Sequence, residues 1–248
     1  MTLTDFFKEN PKAAVAFSGG VDSAYLLSAA VSCSVDVTAY YAKTSFQPQF
    51  ELDDARKLAE ELGAKLRIIP IDILASPDIR NNPADRCYYC KRAMLSAIIS
   101  AAQEDGYSLL LDGTNASDDA DDRPGMTALK ELSVRSPLRE CGLTKPEIRR
   151  LSREANLFTW NKPAYACLAT RIPCDTVITE DALAKTEAAE AFLSSMGFSD
   201  FRARLRGDSA LLQFSADQLK KAFSQEETIS NELKKYYSSV TIDPEARK

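Results

Sequence analysis

The sequence predicts an α/β protein: a doubly wound parallel sheet followed by a small α+β C-terminal domain. Three observations carry this. Short apolar runs alternate with amphipathic stretches over the first two-thirds of the chain, as buried parallel strands covered by helices require. The first run, "AVAF", breaks directly into Ser18-Gly19-Gly20 and then a helix-like stretch. From Thr179 the pattern changes to one long helix and short strand candidates. The expected domains are residues 1–175 and 176–248.

The strand candidates of the first domain are residues 13–17, 36–41, 65–69 and 108–112. Helices are expected at about 23–31, 52–62 and 89–104, the second closed by Gly63, since helices often end on a left-handed glycine. Thr144-Lys145-Pro146-Glu147 reads as a helix start, with an N-cap Thr, Pro in the first turn and Glu three residues on. The stretch "FTWNKPAYACLATRIPCDTVIT" that follows has two prolines and little periodicity, and loops of that length are functional or linkers. Beyond it lie a helix at 180–196 stopped by Gly197, strand candidates at 201–205 and 210–214, and a last apolar run at 240–242.

The net charge is −5, from 31 Lys and Arg against 36 Asp and Glu. The basic residues are scattered, which disfavours nucleic acid as a partner. No stretch approaches the roughly 20 apolar residues of a membrane helix, and "MTLTDFFKENPK" lacks a signal-peptide core. The expected location is cytoplasmic. Six cysteines in 248 residues do not make a disulfide scaffold of the short secreted kind. With no histidine, the commonest general base and the commonest zinc ligand are both missing. Chemistry must rest on phosphate electrostatics, carboxylates, Lys, Tyr or thiolates.

A strand ending in Ser18-Gly19-Gly20, then Val-Asp22-Ser23 and a helix, offers backbone N–H groups and a helix dipole to an anion. Glycine lets the main chain approach a phosphate, and Ser18 and Ser23 supply hydroxyls. A bare "SGG" also reads as an ordinary βα turn. It is not a Walker A loop, because the Gly-Lys-Ser/Thr ending is absent.

The longer string "FSGGVDS" resembles the PP-loop ATP pyrophosphatases, and four further blocks narrow the resemblance: "NPADRCYYCK", "LDGTNASDDADDRPG", "VRSPLRECGLTKPEIRRL" and "WNKPAYACLATRIP". Together, over residues 12–214, they are similar to the LarE family of ATP-dependent sulfur transferases of nickel-pincer cofactor synthesis. The resemblance implies that a carboxylate of a pyridinium dicarboxylate mononucleotide attacks the α-phosphate of ATP, that pyrophosphate leaves with Mg2+ assistance, and that a sulfur nucleophile then displaces AMP. It places Ser18, Gly19, Gly20, Asp22 and Ser23 on the pyrophosphate, with Asp22 a metal or water ligand. Asp112, Thr114 and Asn115 fall at the carboxyl edge of the sheet, where such folds bind ligands. Asp112-Gly113 also reads as a plain turn, and Asp118, Asp119, Asp121 and Asp122 as a solvated acidic loop.

Among the cysteines, Cys33 reads as an incidental thiol at a helix end. Cys87 and Cys90 have zinc or redox spacing, but zinc takes about four ligands and no second such pair exists. The flanking Arg86 and Lys91 could meet phosphate or carboxylate of the substrate. Cys167 stands where the best-known branch of the family carries the cysteine that gives up its sulfur and becomes dehydroalanine. Cys141 and Cys174 depart from that branch. With Cys167 they fit a second branch, in which three cysteines hold a [4Fe-4S] cluster whose free iron carries sulfide. Two spare thiols is the plainer alternative.

In the small domain, Glu190, Arg202 and Arg204 fall where the family binds substrate. Strand alternation puts Arg202, Arg204 and Arg206 on one face, or else they line a solvated edge. The family's usual Gly-Tyr-Arg-like ending is not recognisable in "VTIDPEARK". The family also implies a homo-oligomer. Competing readings are a PP-loop tRNA thiolase, an amide-forming ATP pyrophosphatase of the NAD or GMP synthetase type, and a non-enzymatic ATP-binding or cluster-carrier protein.

Overall fold

The computed structural model describes residues 1–118 and 124–247. In chain order the elements are α1 (Leu3–Glu9), β1 (Lys12–Ala16), α2 (Val21–Ser32), β2 (Asp36–Lys43), α3 (Gln49–Glu61), β3 (Lys65–Pro70), α4 (Pro77–Arg80), α5 (Arg86–Glu104), β4 (Leu110–Leu111), α6 (Pro124–Glu131), α7 (Pro137–Glu140), α8 (Lys145–Glu154), α9 (Glu180–Ser195), β5 (Arg202–Arg206), β6 (Ser209–Gln213), α10 (Ala216–Ser224), α11 (Glu226–Leu233) and β7 (Ser239–Ile242). They form two compact units. One comprises Met1–Ile73 and Asp85–Ala164, the other Leu74–Ala84 and Tyr165–Lys248.

The first unit is built on a four-stranded sheet of order β3-β2-β1-β4, every pairing parallel. Strand side chains alternate between faces, so both faces must be covered. Ala13, Val15 and Tyr41 pack into a core with α1, α2 and α3, whereas Ala14 and Tyr40 pack against α5 on the other face. This is the expected doubly wound arrangement, of Rossmann-like order. Strand β4 is shorter than expected, and on its outer side Leu111 makes a single parallel bridge to Arg135. Helices α1, α4, α6 and α7 escaped the sequence reading: none exceeds eight residues, and helical periodicity stands out over roughly 11–18.

Two local expectations change. The helix expected from residue 89 begins at Arg86, so Cys87 and Cys90 both lie on α5. Thr144 is the N-cap of α8 but makes no side-chain capping bond; instead the Lys145 N–H donates to Ser117 Oγ at 3.0 Å. The long stretch after α8 contains only two short 3-10 turns, Phe158–Asn161 and Leu168–Arg171.

The second unit has a three-stranded sheet of order β5-β6-β7. Strands β5 and β6 form an antiparallel hairpin, and β7 adds parallel to β6. Its core comes from α9, the sheet and α11, including Leu193, Phe198, Leu212, Phe214 and Ile229. The segment carrying α4 is tied to this unit through Asn82, a left-handed residue (φ 57°). Its side-chain amide donates to Pro173 O at 2.7 Å and its carbonyl accepts the Asp175 N–H at 2.9 Å.

Candidate functional site

In a β3-β2-β1-β4 sheet the strand order reverses between β1 and β4, and the crevice at the carboxyl ends of those strands is where ligands of such folds bind. The chain places its glycine turn there. Gly19 has φ +72°, a conformation that only glycine adopts readily, and a Cβ on it would press Ala55 and the Glu51 carbonyl. Gly20 is the N-cap of α2 without a capping side chain. The turn is braced from within: the Ser18 N–H donates to Ser23 Oγ at 3.3 Å, the two hydroxyls are 3.1 Å apart, and Ser23 Oγ donates to the Gly20 carbonyl at 3.2 Å.

The loop after β4 closes the other side. Asp112 accepts from Thr114 Oγ1 and from Ser136 Oγ, both at 2.6 Å. Gly113 passes so close to α2 that a Cβ would lie 2.8 Å from Ser23 N. Nothing but glycine fits, a constraint hidden in a string that also read as a plain turn. Asn115, almost fully buried, donates to Asp22 Oδ1 at 3.4 Å.

Asp22 also takes an ion pair from Lys145 at the first turn of α8, a partner 123 residues away that the sequence reading did not single out. Burial pushes the Asp22 carboxyl above the ordinary aspartate range, and Lys145 opposes that shift without cancelling it. Such a carboxylate gains from a further cation. Ser18, Gly20, Asp22, Ser23, Asp112, Thr114 and Asp118 line a cavity of about 550 Å³ whose far wall is apolar, with Ala42, Leu95 and Ile98. The cavity thus joins the hydroxyls and carboxylates of its polar side to an apolar stretch, as small-molecule sites do. Lys91 also reaches the cavity, 3.8 Å from Asp112 Oδ2, whereas Arg86 is buried over the Phe46 ring. Asp118 receives the Asn115 N–H at 3.0 Å; Asp119, Asp121 and Asp122 lie outside the described residues.

In the second unit, Glu190 and Arg171 form a pair almost closed to solvent. Arg171 Nε and Nη2 donate to the carboxylate at 2.7 and 3.0 Å. Tyr165 OH and the Ala203 N–H complete its shell, at 2.5 and 2.9 Å. The remaining Arg171 nitrogen gathers the Ala166 carbonyl at 3.0 Å and Thr170 Oγ1 at 2.6 Å, which shapes the turn that Cys167 opens. Burial works to lower the Arg171 guanidinium; Glu190 outweighs it and the net shift is upward, with the neighbouring Cys167 sulfur a smaller contributor. Glu190 therefore organises the cysteine turn from inside.

Arg202 and Arg204 share a face of β5, as alternation requires. Burial, then repulsion from Arg171 and Arg247, pulls the Arg202 guanidinium down; burial, Arg171, Arg206 and Arg247 do the same to Arg204. Crowded cations of this kind are relieved by an anion. Arg247, paired with Asp200, brings the chain's end to this group although no motif announced it.

The three cysteines expected to share a metal are divided. Cys141 belongs to the first unit, as the C-cap of α7, packed against the core, with burial raising its thiol. Cys167 and Cys174 belong to the second unit, where Cys174 is exposed and its Sγ donates to the Asn82 carbonyl at 3.4 Å. Within either unit, among the described residues, no three Cys, Asp or Glu side chains gather as a metal site. No described helix is long and apolar enough to cross a membrane.

A parallel four-stranded sheet flanked by helices, with a glycine turn and two carboxylates at its switch point, defines a Rossmann-like α/β protein. Comparison with known proteins narrows this class. No protein-family model matches, but the chain is 37% identical over 214 residues to the pyridinium-3,5-bisthiocarboxylic acid mononucleotide synthase of Lactiplantibacillus plantarum, covering 86% of this chain and 78% of that one. Uncharacterised proteins of Synechocystis (34% identical; 88% and 81% covered) and Methanocaldococcus jannaschii (31%; 98% and 93%) also match. The chain belongs to the LarE family.

Proposed function

We propose that this protein is an ATP-dependent sulfur transferase. It adenylates a carboxylate of a pyridinium-3,5-dicarboxylate mononucleotide and converts it to a thiocarboxylate in nickel-pincer cofactor synthesis. The observation that carries this reading is the cradle at the switch point, in a chain related to an enzyme named for the bisthiocarboxylic product. The Ser18–Gly20 turn and the α2 N-terminus hold the β and γ phosphates of ATP, and the apolar wall takes the base. A carboxylate is a poor acyl donor, so its oxygen attacks the α-phosphate and pyrophosphate leaves. Asp22, an oxygen donor lining the cavity from the first turn of α2, would hold Mg2+, and the ion would neutralise charge on the departing pyrophosphate.

The second unit supplies the sulfur step. Arg202 and Arg204 bind the substrate's anionic groups, while Glu190, through Arg171, holds the turn of Cys167. The Cys167 thiolate attacks the acyl adenylate and expels AMP, giving a thioester. Loss of the Cys167 Cα proton and cleavage of its Cβ–S bond then leave the thiocarboxylate and dehydroalanine. The alternative is that Cys141, Cys167 and Cys174 hold a [4Fe-4S] cluster, which would supply sulfide in place of the Cys167 sulfur.

Pyrophosphate release in the presence of the pyridinium dicarboxylate mononucleotide, compared with tRNA, tests the reading. Release with the mononucleotide alone, abolished in Asp22→Ala, is expected. Release driven by tRNA would make the protein a thiolase. A used protein lighter by about 34 Da, as when cysteine loses hydrogen sulfide, supports the Cys167 route. Unchanged mass with stoichiometric iron and sulfide lost in Cys141→Ala and Cys174→Ala would replace it with the cluster.

A further inference from the structure

The reaction above leaves one motif unused. Cys87 is the second residue of the 19-residue α5. It is exposed and lines the same cavity as the glycine turn, beside Lys91 and Met94. An Arg86 nitrogen donates to its sulfur at 3.7 Å. A guanidinium next to sulfur at the start of a helix is the setting in which cysteines react. One turn further on, Cys90 is 8% exposed. Residues three apart on a helix share a face; their Cα atoms are roughly 5 Å apart, inside the ~4.4–6.8 Å that a disulfide spans. Neither cysteine is in a disulfide here. The pair is an accessible thiol with a sheltered one behind it.

We propose that Cys87 and Cys90 form a thiol-exchange site for low-molecular-mass disulfides, and that the cavity is closed to nucleotide while Cys87 carries the adduct. The Cys87 thiolate attacks one sulfur of RSSR, forming Cys87–S–S–R and expelling RS−, which takes up the proton that Cys87 lost. The Cys90 thiolate then attacks the Cys87 sulfur, expelling a second RS−, which is protonated in turn, and leaving a Cys87–Cys90 disulfide. The protein dithiol is oxidised by two electrons and RSSR is reduced to two RSH. Exchange of this kind needs an accessible attacking sulfur and a resolving thiol within reach, and α5 provides both. The group R enters the cavity beside Met94 and leaves when Cys90 resolves the adduct. The consequence for nucleotide rests on the proposed ATP site; the exchange does not.

The test treats reduced wild type and Cys90→Ser with glutathione disulfide, followed by peptide mass mapping and ATP titration calorimetry. Trypsin cuts after Arg86 and Lys91, so one peptide carries both thiols. Wild type should yield that peptide two hydrogens lighter. Cys90→Ser should trap glutathione on Cys87, faster than on the exposed Cys174, and then bind ATP at least tenfold more weakly than the same variant reduced. Three results would each overturn the proposal: no preference for Cys87 over Cys174, a wild type that keeps the mixed disulfide, or an adduct that leaves ATP affinity unchanged. Should the reduced protein not bind ATP, the nucleotide reading fails separately while the mapping still decides the exchange.

Discussion

Gly113→Ala tests whether the loop after β4 sets the position of the phosphate turn. The new Cβ would stand 2.8 Å from Ser23 N, 3.1 Å from Ser23 Cα and 3.3 Å from the Asp22 carbonyl carbon. All three are backbone atoms of the first turn of α2, so no side chain can swing away. Reaching ordinary carbon contact requires the helix start to retreat by roughly half an ångström. Overpacking of this kind costs about 1–3 kcal/mol, which urea denaturation resolves. The same retreat carries the Ser23 hydroxyl and the helix N–H groups away from the phosphates; since ~1 Å of misplacement costs about 100-fold, pyrophosphate release should fall by at least about tenfold. Gly63→Ala is the control, because its Cβ would meet nothing within 4 Å. Its positive φ costs only about 1 kcal/mol, and release should not change. A Gly113→Ala protein with wild-type denaturation midpoint and wild-type release would refute the argument.

Glu190→Gln should lower unfolding free energy by about 3–5 kcal/mol, because it leaves the Arg171 guanidinium buried without its counter-charge; an unchanged urea midpoint would return Glu190 to a purely substrate-binding role. Lys145→Met removes the cation that opposes the burial of Asp22, so the carboxyl should rise further. Since the ionised form binds the metal, the acid limb of the pH profile for pyrophosphate release should move to higher pH, and a profile superimposable on wild type would show that Lys145 does not control Asp22. Arg204→Ala should weaken binding of the mononucleotide more than that of ATP in calorimetry, and equal losses would place this arginine outside the substrate site.

Much of the first unit was legible because the relevant signals are local. Near-continuous apolar runs within residues 13–17 and 36–41 are enough to say that both faces of those strands are buried. The order strand, Ser-Gly-Gly, helix is enough to say that main-chain N–H groups converge. The charges of β5 could be assigned to one face by counting twos. The metal expectation was of another kind: cysteines can be counted along a chain, but their convergence is a property of the tertiary structure.

By itself, then, the sequence determined which residues could do chemistry and on which kind of element each would sit, since helix and strand periods depend on neighbours a few residues apart. Only the tertiary structure decided which of them meet. The strand order β3-β2-β1-β4 brings the loop of Asp112 against the turn of Ser18, and it makes Gly113 indispensable where a plain turn would have tolerated alanine. Lys145 reaches Asp22 because α8 packs beside α2, and Arg247 joins the arginines because the chain folds back past β6. Glu190 turned inward to Arg171 because a buried guanidinium requires a carboxylate at hydrogen-bond distance, a demand that arises only once both side chains have left water.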